Sequence, residues 1–232
     1  MRLNVLSAGA AKGVIEALAP EFLADTGITI AGTFGAVGAI RDRLLAGDGC
    51  DVLVLTTAML EALARDARVD ANSIAPIGRV YTGIAVRSGE PLPAITDRAS
   101  LRASLVAARS LYCPDPERAT AGIHFVKVLR ELAIYSDLAS RLRTFPSGAI
   151  AMGELARSTE PDLIGCTQIT EINYTAGVTL VGALPAEFAL GTVYAVAVCG
   201  DAARPDAARR FAALVAGPNA ESLRRRAGFE PG

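Results

Sequence analysis

Apolar and polar positions along the first third of the chain fall into blocks whose period switches between strand-like and helix-like. Short apolar runs typical of buried strands are separated by longer runs with apolar residues at helical spacing. The predicted strands are 3–6, 28–34 and 51–56, and the predicted helices are a run ending near residue 24, then 37–46 and 58–65. Continuous apolar strands between amphipathic helices indicate a mostly parallel sheet that helices cover on both faces.

The same alternation is repeated after a long apolar stretch, residues 74–86, and a turn-rich segment, residues 89–93. The predicted elements there are strand 110–113, helices 122–133 and 147–157, strand 163–167, a β pattern over 178–199, and helices 205–216 and 219–227. We therefore predict an α/β fold with two lobes, residues 1–82 with 188–232 and residues 83–187. Two crossovers between the lobes predict a hinge, with a ligand cleft between the lobes where strand ends and helix starts converge.

Charge and length narrow the class of protein. The 232 residues carry a formal net charge of -1, which provides no electrostatic footprint for nucleic acid or for an anionic membrane surface. The cluster Arg224–Arg226 is interpreted as a solvated helix end. No window approaches the ~18 to 20 apolar residues of a membrane span.

The four cysteines are not arranged as a metal or redox motif. Cys50, Cys113, Cys166 and Cys199 lack CxxC spacing, and each lies in or beside an apolar strand-like run. A buried free cysteine in a core is favoured over a disulfide, which is the alternative. No metal and no cofactor are expected.

Three loops without bulky side chains precede predicted helices, at residues 7–10, 34–38 and 119–122. The first backbone N–H groups of a helix have no partner inside it and lie at the positive end of its dipole, which makes such loops natural anion sites. Small residues also occur where a helix packs closely on a sheet, so packing alone is the alternative. The recurrence of the pattern in both lobes favours anion binding.

A resemblance supports this interpretation. The segments VLSAGAAKGVIEALAPEF, TFGAVGAIRDRLLAGDGCDVLVLT, TAGIHFVKVLRELAI and LIGCTQITEI resemble the periplasmic molybdate-binding proteins and their relatives, with the block from Phe34 to Thr56 the most specific. The resemblance extends over nearly the whole chain. It implies the two-lobed fold of type 2 periplasmic binding proteins.

The chain departs from that family at the residues that hold the oxyanion. The resemblance places Ala10 and Val37 at two hydroxyl positions and Gln168 at the position of a tyrosine. Each missing hydrogen bond to a charged ligand is worth roughly 1.5–3 kcal/mol. Molybdate is therefore disfavoured, and a carboxylate-bearing organic molecule is favoured.

The pattern of residues 7–10, 34–39, 120–125 and 167–172 is similar to a subgroup that includes bacterial aconitate isomerases. The resemblance implies a small di- or tricarboxylate ligand and an allylic proton shift, which needs positioned acid–base groups and donors for the developing charge. The expected ligand-binding residues share small size or polarity at the loops and strand ends: Ser7, Ala8, Gly9, Gly35, Val37, Thr120, Ala121, Ser147 and Gln168.

Two residues are candidates for proton transfer. His124 is the one histidine of the chain and follows the third loop, and Lys12 follows the first loop, where a cation is unfavourable unless it meets an anion. The alternatives are a packing role for His124 and simple exposure for Lys12. Glu171 is interpreted as a helix-start carboxylate or structural partner, with catalysis as the alternative, and Arg79 and Tyr81 as hinge or ligand residues.

Two functions thus stand beside each other. The first is an isomerase of a small unsaturated polycarboxylate, in the cytoplasm, because the chain as written has no signal peptide. The second is a non-catalytic binding protein for an oxyanion or organic acid, periplasmic if a leader was removed, with an ABC permease as partner in transport or with a role in sensing. A cleft that has lost its ligand is a third option.

Overall fold

The computed structural model of this protein describes residues 1–231, and its contacts divide the chain into two compact units. Unit 1 consists of Met1–Val80 together with the chain from Thr192 onwards, and unit 2 is Tyr81–Gly191. The structure thus divides the chain at 80/81 and 191/192, where the sequence analysis drew boundaries at 82/83 and 187/188.

Strands and helices are both abundant, which confirms the predicted α/β class. The strands in chain order are β1 (Arg2–Ala8), β2 (Thr29–Gly35), β3 (Val52–Thr56), β4 (Ala75–Arg87), β5 (Ser110–Pro114), β6 (Leu142–Phe145), β7 (Leu163–Gln168), β8 (Val178–Ala183) and β9 (Gly191–Val198). The helices are α1 (Lys12–Thr26), α2 (Val37–Leu45), α3 (Thr57–Arg65), α4 (Arg98–Ala107), α5 (Thr120–Glu131), α6 (Tyr135–Leu138), α7 (Gly148–Arg157), α8 (Ile169–Tyr174), α9 (Pro205–Ala216) and α10 (Glu221–Ala227).

Some elements differ from the sequence-based prediction. The structure adds α4, α6, α8 and β6, which the sequence analysis did not predict. Helix α5 begins at Thr120 rather than at Gly122, so His124 lies in the second turn of the helix.

Unit 1 is built around β1, which pairs in parallel with β2 on one side and with β3 on the other, while β3 pairs antiparallel with β9. The Val–Leu run Val52–Leu55 of β3 is completely buried, as expected for a strand covered on both faces. Helix α1 packs on α9 through an edge-to-face contact of Phe22 and Phe211, whose ring centroids lie 5.0 Å apart.

Unit 2 has the strand order β4-β7-β5-β6, and β8 pairs with β4 on the side away from β7. β5 is parallel to both β6 and β7, and β4 is antiparallel to β7 and β8. Because side chains alternate along a strand, the two faces of this sheet carry separate cores. One core joins Cys166 to Leu101 of α4 and Phe125 of α5, and the other joins Tyr112 to Met152 of α7.

Gly122 allows α5 to approach the turn that follows β5. A Cβ atom at this position would lie 2.3 Å from the carbonyl oxygen of Asp115 and 2.4 Å from that of Pro114, and backbone atoms cannot move aside cheaply. The missing side chain therefore fixes where the start of α5 lies relative to the end of β5.

Substitution Gly122→Ala should lower the free energy of unfolding by about 2 kcal/mol, because the helix must shift to make room for the methyl group. Chemical denaturation followed by circular dichroism measures the change. The matched control is Gly153→Ala in α7, where the added Cβ meets Arg157 at an ordinary 3.6 Å. The control should gain about 0.5–1 kcal/mol from helix propensity. Equal effects of the two substitutions would contradict this account of Gly122.

Candidate functional site

The carboxyl ends of β1, β2 and β3 lie at one edge of unit 1, because the three strands are parallel. The elements that follow start at this edge, which we call the carboxyl edge of unit 1. They are a 3₁₀ turn at Gly9–Ala11 that leads into α1, then α2, then α3. The predicted residues Ser7, Gly35 and Val37 are thereby collected at one edge of one unit.

Helix α2 begins at this edge with free backbone donors. Its N-cap residue Ala36 is extended, no side chain of residues 1–231 caps it, and the first intrahelical bond runs from the Ile40 N–H to the Ala36 carbonyl at 3.0 Å. The N–H groups of Val37 and its two successors take no part in the intrahelical ladder. By contrast, the Thr56 hydroxyl accepts from the Met59 N–H and caps α3. The start of α2 is thus the more available anion site.

The polar side chains of the first loop have partners within unit 1. Ser7 is completely buried and its hydroxyl donates to the Ala8 carbonyl at 2.9 Å. Lys12 is 31% exposed, forms an ion pair with Glu16 one helical turn on, and its Nζ lies 5.5 Å from the centroid of the Phe34 ring. Ala8 and Gly9 are buried beneath this surface. A ligand that uses Lys12 must therefore compete with Glu16 for its charge.

Unit 2 has a carboxyl edge of its own, formed by the parallel strands β5, β6 and β7, which end at Pro114, Phe145 and Gln168. Helices α5, α7 and α8 start there. The antiparallel strand β4 brings Thr82 directly opposite Gln168. Opposed residues of an antiparallel pair have their Cβ atoms about 4.5–5.5 Å apart on one face of the sheet, so these two side chains are neighbours.

These neighbouring side chains have no hydrogen-bond partner among the described residues. Gln168 is 3% exposed and both of its amide atoms are unpaired, and the hydroxyl of Thr82, 1% exposed, is unpaired as well. Thr170, the second residue of α8, is 1% exposed, and its hydroxyl is also unpaired. A buried polar group without a partner costs about 1–3 kcal/mol, and native structures rarely contain several together unless a ligand or water pairs with them.

The start of α5 lies at the same edge and on the same face as Gln168 and Thr82. Cys166 belongs to the core that α5 covers, and Gln168 is two residues further along the strand, so it faces the same side. The N-cap Ala119 receives no side-chain cap from residues 1–231, and the first intrahelical bond runs from Ile123 to Ala119 at 2.9 Å. The N–H groups of Thr120 and Ala121 are therefore outside the helical ladder.

The start of α7 is filled by a side chain of the protein. Ser147 is the N-cap, and its hydroxyl accepts from the Ile150 N–H at 3.3 Å. The carboxyl group of Glu171 accepts a hydrogen bond from the Thr167 hydroxyl at 2.6 Å. It also accepts hydrogen bonds from the backbone N–H groups of Ala149 and Gln168. The carboxyl group of Glu171 thus occupies the position that a ligand anion would take at this helix.

The environment of Glu171 changes its acidity. Burial raises the pKa of its carboxyl above the ordinary value, and the hydrogen bonds from Thr167, Ala149 and Gln168 oppose the rise without cancelling it. Buried carboxyls with a raised pKa are common among proton-transfer groups, although structural carboxyls are also shifted. The sequence analysis interpreted Glu171 as a helix-start carboxylate or structural partner, and the structure places it in contact with the start of α7.

His124 is engaged inside unit 2. Its Nε2 lies 2.7 Å from the carbonyl oxygen of Phe188, which can only accept, so Nε2 carries a proton, and in the neutral ring Nδ1 is then an acceptor. The ring is half-buried. This contact gives His124 a packing partner, and its proposed part in proton transfer stays a prediction. In unit 1, the backbone of Arg79 exchanges hydrogen bonds with that of Glu230, and in unit 2 Tyr81 is half-buried.

Sequence reasoning missed Thr82 and Thr170 as members of the unit 2 edge. Thr82 lies inside the long apolar stretch that forms β4, and a lone hydroxyl in such a run was the available signal. Thr170 lies two residues after Gln168 in the motif TQITEI, and the sequence analysis assigned roles only to Gln168 and Glu171 of that motif.

The described residues provide no metal centre. Within 1–231 no group of three or more His, Cys, Asp and Glu side chains is arranged to hold a metal ion, and no helix of that range is long and apolar enough to cross a membrane. All four cysteines are buried and free. Burial raises the pKa of the Cys113 thiol to about 12, so this thiol stays protonated at neutral pH.

Comparison with known proteins identifies relatives of this fold. The model of a family described as bacterial extracellular solute-binding proteins matches residues 3–230. An aconitate isomerase of a Pseudomonas species is 26% identical over 235 residues, which cover 99% of this chain and 87% of that protein. These matches confirm the resemblance stated from the sequence motifs.

Solved structures agree in fold. The periplasmic molybdate-binding protein of Azotobacter vinelandii superposes with a TM-score of 0.81 at 20% identity and 99% coverage of both chains. The sulfate-binding protein of Mycobacterium tuberculosis gives a TM-score of 0.78 at 17% identity, covering 100% of this chain and 87% of the other. The predicted periplasmic-binding-protein class of α/β fold is therefore confirmed.

The raised pKa of Glu171 predicts a pH-dependent contribution to stability. A carboxyl whose pKa is higher in the folded than in the unfolded state favours folding below its unfolded pKa, and this contribution is lost as the pH rises through the folded pKa. We expect the unfolding free energy of wild type to fall relative to that of Glu171→Gln as the pH rises above about 4.5. Urea denaturation of both proteins from pH 4 to 8 measures the difference, and a constant difference would contradict the raised pKa.

Proposed function

This chain belongs to the family of bacterial extracellular solute-binding proteins, and from that premise we propose that it binds a small organic anion, a di- or tricarboxylate. The observation that carries the proposal is the unpaired, buried amide of Gln168 beside the unpaired Thr82 hydroxyl, at the edge where α5 begins without a cap. These groups form hydrogen bonds only if something other than the described residues supplies the partner.

The available donors and acceptors suit a carboxylic acid. The backbone N–H groups of Thr120 and Ala121, at the positive end of a three-turn helix, favour a carboxylate oxygen. The Gln168 amide both donates and accepts, and the Thr82 hydroxyl does the same. Such a mixture fits a ligand with oxygen atoms of different character, such as carboxylates beside a hydroxyl or a protonated carboxyl. Unit 1 has a separate position of the same kind at the start of α2, with Gly35 and Val37.

Molybdate and similar oxyanions are the weaker ligand class. The two unit 1 positions where the resemblance implies hydroxyls are Ala10 and Val37, and both side chains are buried and apolar. The backbone donors at the helix starts are the groups left to hold a tetrahedral oxyanion in unit 1. Family membership supports the further proposal that the organic acid is bound for transport, with an ABC permease as partner, or for sensing.

A second candidate function is isomerisation of the bound acid. It is supported by the similarity to the Pseudomonas aconitate isomerase, which extends over 99% of this chain. The reaction would remove a proton at one carbon and return it at another, with helix-start N–H groups stabilising the negative charge that develops. His124, through its free Nδ1, and Lys12 are the proposed proton-transfer residues.

Substitution Gln168→Met tests the binding proposal. It removes two unpaired polar atoms at similar volume, so the free energy of unfolding without ligand should stay equal or rise by up to about 2 kcal/mol. Affinity for the best-binding anion should fall at least tenfold. A thermal-shift screen over succinate, citrate, cis- and trans-aconitate, sulfate, tungstate and molybdate, followed by calorimetry, measures both.

The control is Ser104→Ala in α4, which removes a hydroxyl already paired with the Ala94 carbonyl at 2.7 Å. It should leave the affinity unchanged. Stronger stabilisation of wild type by molybdate than by every carboxylate would sink the ligand class proposed here.

The isomerase candidate makes its own prediction. Purified protein incubated with cis-aconitate in deuterated water should produce trans-aconitate that carries solvent deuterium, followed by proton NMR, and His124→Gln should slow the reaction at least a hundredfold. Binding of aconitate without interconversion or deuterium entry would exclude this activity for that substrate and leave the binding proposal standing.

A further inference from the structure

Two substantial helices start at the carboxyl edge of unit 2, and they differ in what their backbone donors meet. The start of α5 is uncapped by any side chain of residues 1–231, whereas the start of α7 holds both the Ser147 hydroxyl and the Glu171 carboxylate. The protein thus carries one open and one internally filled anion position at the same edge.

The packing around Glu171 is built for a carboxylate. A Cβ atom on Gly148, the first residue of α7, would lie 2.0 Å from Glu171 Oε2 and 2.0 Å from Thr167 Oγ1. The absence of a side chain there lets the carboxylate rest against the first turn of the helix. Thr167 donates to it at 2.6 Å from the strand side. The end of β7, the start of α7 and the Glu171 carboxyl group are therefore in direct contact.

The negative charge of Glu171 is not neutralised by a cation. Among the described residues Glu171 takes part in no salt bridge. Its pKa is raised by burial and lowered by hydrogen bonds, with no contribution from a neighbouring charge. Helix α8 packs mainly on β7, β8 and α7, and its Ile169 also approaches Gly83 of β4, a strand whose Arg87 pairs with Glu90. β8 carries no charged side chain, Cys166 of β7 belongs to the opposite face, and the charged residues of α7, Glu154 and Arg157, pair with each other at the surface.

We propose that Glu171 is a specificity-determining residue of the unit 2 edge, acting as a fixed internal anion that reserves the start of α7 and directs a ligand anion to the start of α5. This inference rests on the proposed function, since it presumes that the edge binds an anion. A fixed negative charge repels a compact divalent oxyanion, both of whose charges lie at the edge. It repels a dicarboxylate of equal charge less strongly, because the second carboxylate of such a ligand lies several ångströms from the first and farther from Glu171.

The proposal makes ligand binding responsive to the protonation of Glu171. Protonation removes the internal negative charge, so affinity for a compact anion should rise as the pH falls. By linkage, binding of that anion must favour uptake of a proton by the protein. A carboxylate with a purely structural role in holding α7 would show neither effect on ligand selectivity.

The test compares Glu171→Gln with Glu154→Gln, which removes a carboxylate from an exposed ion pair of α7. Titration calorimetry at pH 7 uses sodium sulfate and sodium succinate, two probes of equal charge and different charge separation. We expect Glu171→Gln to raise the affinity for sulfate about tenfold and that for succinate clearly less, so that the ratio of the two affinities changes. Glu154→Gln should leave the ratio at the wild-type value. An unchanged ratio in Glu171→Gln overturns the inference.

Wild-type protein provides a second readout if Glu171→Gln does not fold. Sulfate stays divalent between pH 7 and pH 4.5, so its affinity should increase over that range, and calorimetry in two buffers of different ionisation enthalpy should record proton uptake. An affinity that does not change with pH, or binding without proton uptake, overturns the inference while the proposed function stands. Wild-type protein that binds none of the carboxylates or oxyanions contradicts the proposed function itself, and the inference falls with it.

Discussion

The binding site proposed at the carboxyl edge of unit 2 depends on one physical constraint. Buried polar groups need hydrogen-bond partners. Three side chains there, Thr82, Gln168 and Thr170, are almost inaccessible and unpaired in the described part of the chain. The stability of the unliganded protein would improve if they were apolar, because each unpaired group costs about 1–3 kcal/mol. Residues that destabilise the unliganded fold are typical of binding sites, because stability and function are frequently in conflict there. These three lie at the edge where the parallel strands of unit 2 end, as ligand-binding residues often do.

The same requirement separates the helix starts at this edge. Every helix leaves its first N–H groups unpaired, and a protein must satisfy them with a cap, with water or with a ligand. Helix α7 uses Ser147 and Glu171 for this purpose, so its donors contribute to the fold. Helix α5 keeps its donors available beside Gln168. We therefore expect an oxygen-rich ligand to accept hydrogen bonds at the start of α5. At the start of α7 it would instead meet the carboxyl group of Glu171.

Sequence reasoning reached the regular parts of the fold and stopped at contacts between distant residues. The Val–Leu run of β3 and the amphipathic α2 have strong local patterns, and the structure contains both close to the predicted bounds. Helix α4 was missed because its residues alternate small, polar and charged types, although Asp97 and Ser100 form a capping box that the sequence displays. The pairing of Thr82 with Gln168 could not be predicted, because it depends on the register of strands separated by more than eighty residues. The contact of Glu171 with α7 likewise depends on tertiary packing.

The ligand class proposed for this chain depends on its side chains more than on its fold. The fold resembles that of a molybdate-binding protein and that of a sulfate-binding protein at 20% identity or less, a level at which only the arrangement of strands and helices can be compared. Backbone donors at helix starts come with that arrangement whatever the ligand. At the carboxyl edge of unit 2 this chain has a neutral amide at Gln168, two buried hydroxyls and a carboxyl group of its own that fills one helix start. In unit 2, we propose that a compact dianion is disfavoured because it would meet the carboxyl group of Glu171 at the start of α7. An elongated organic acid can place one carboxylate at α5 and direct its other polar atoms to the amide and hydroxyls, and on this ground we propose that ligand class.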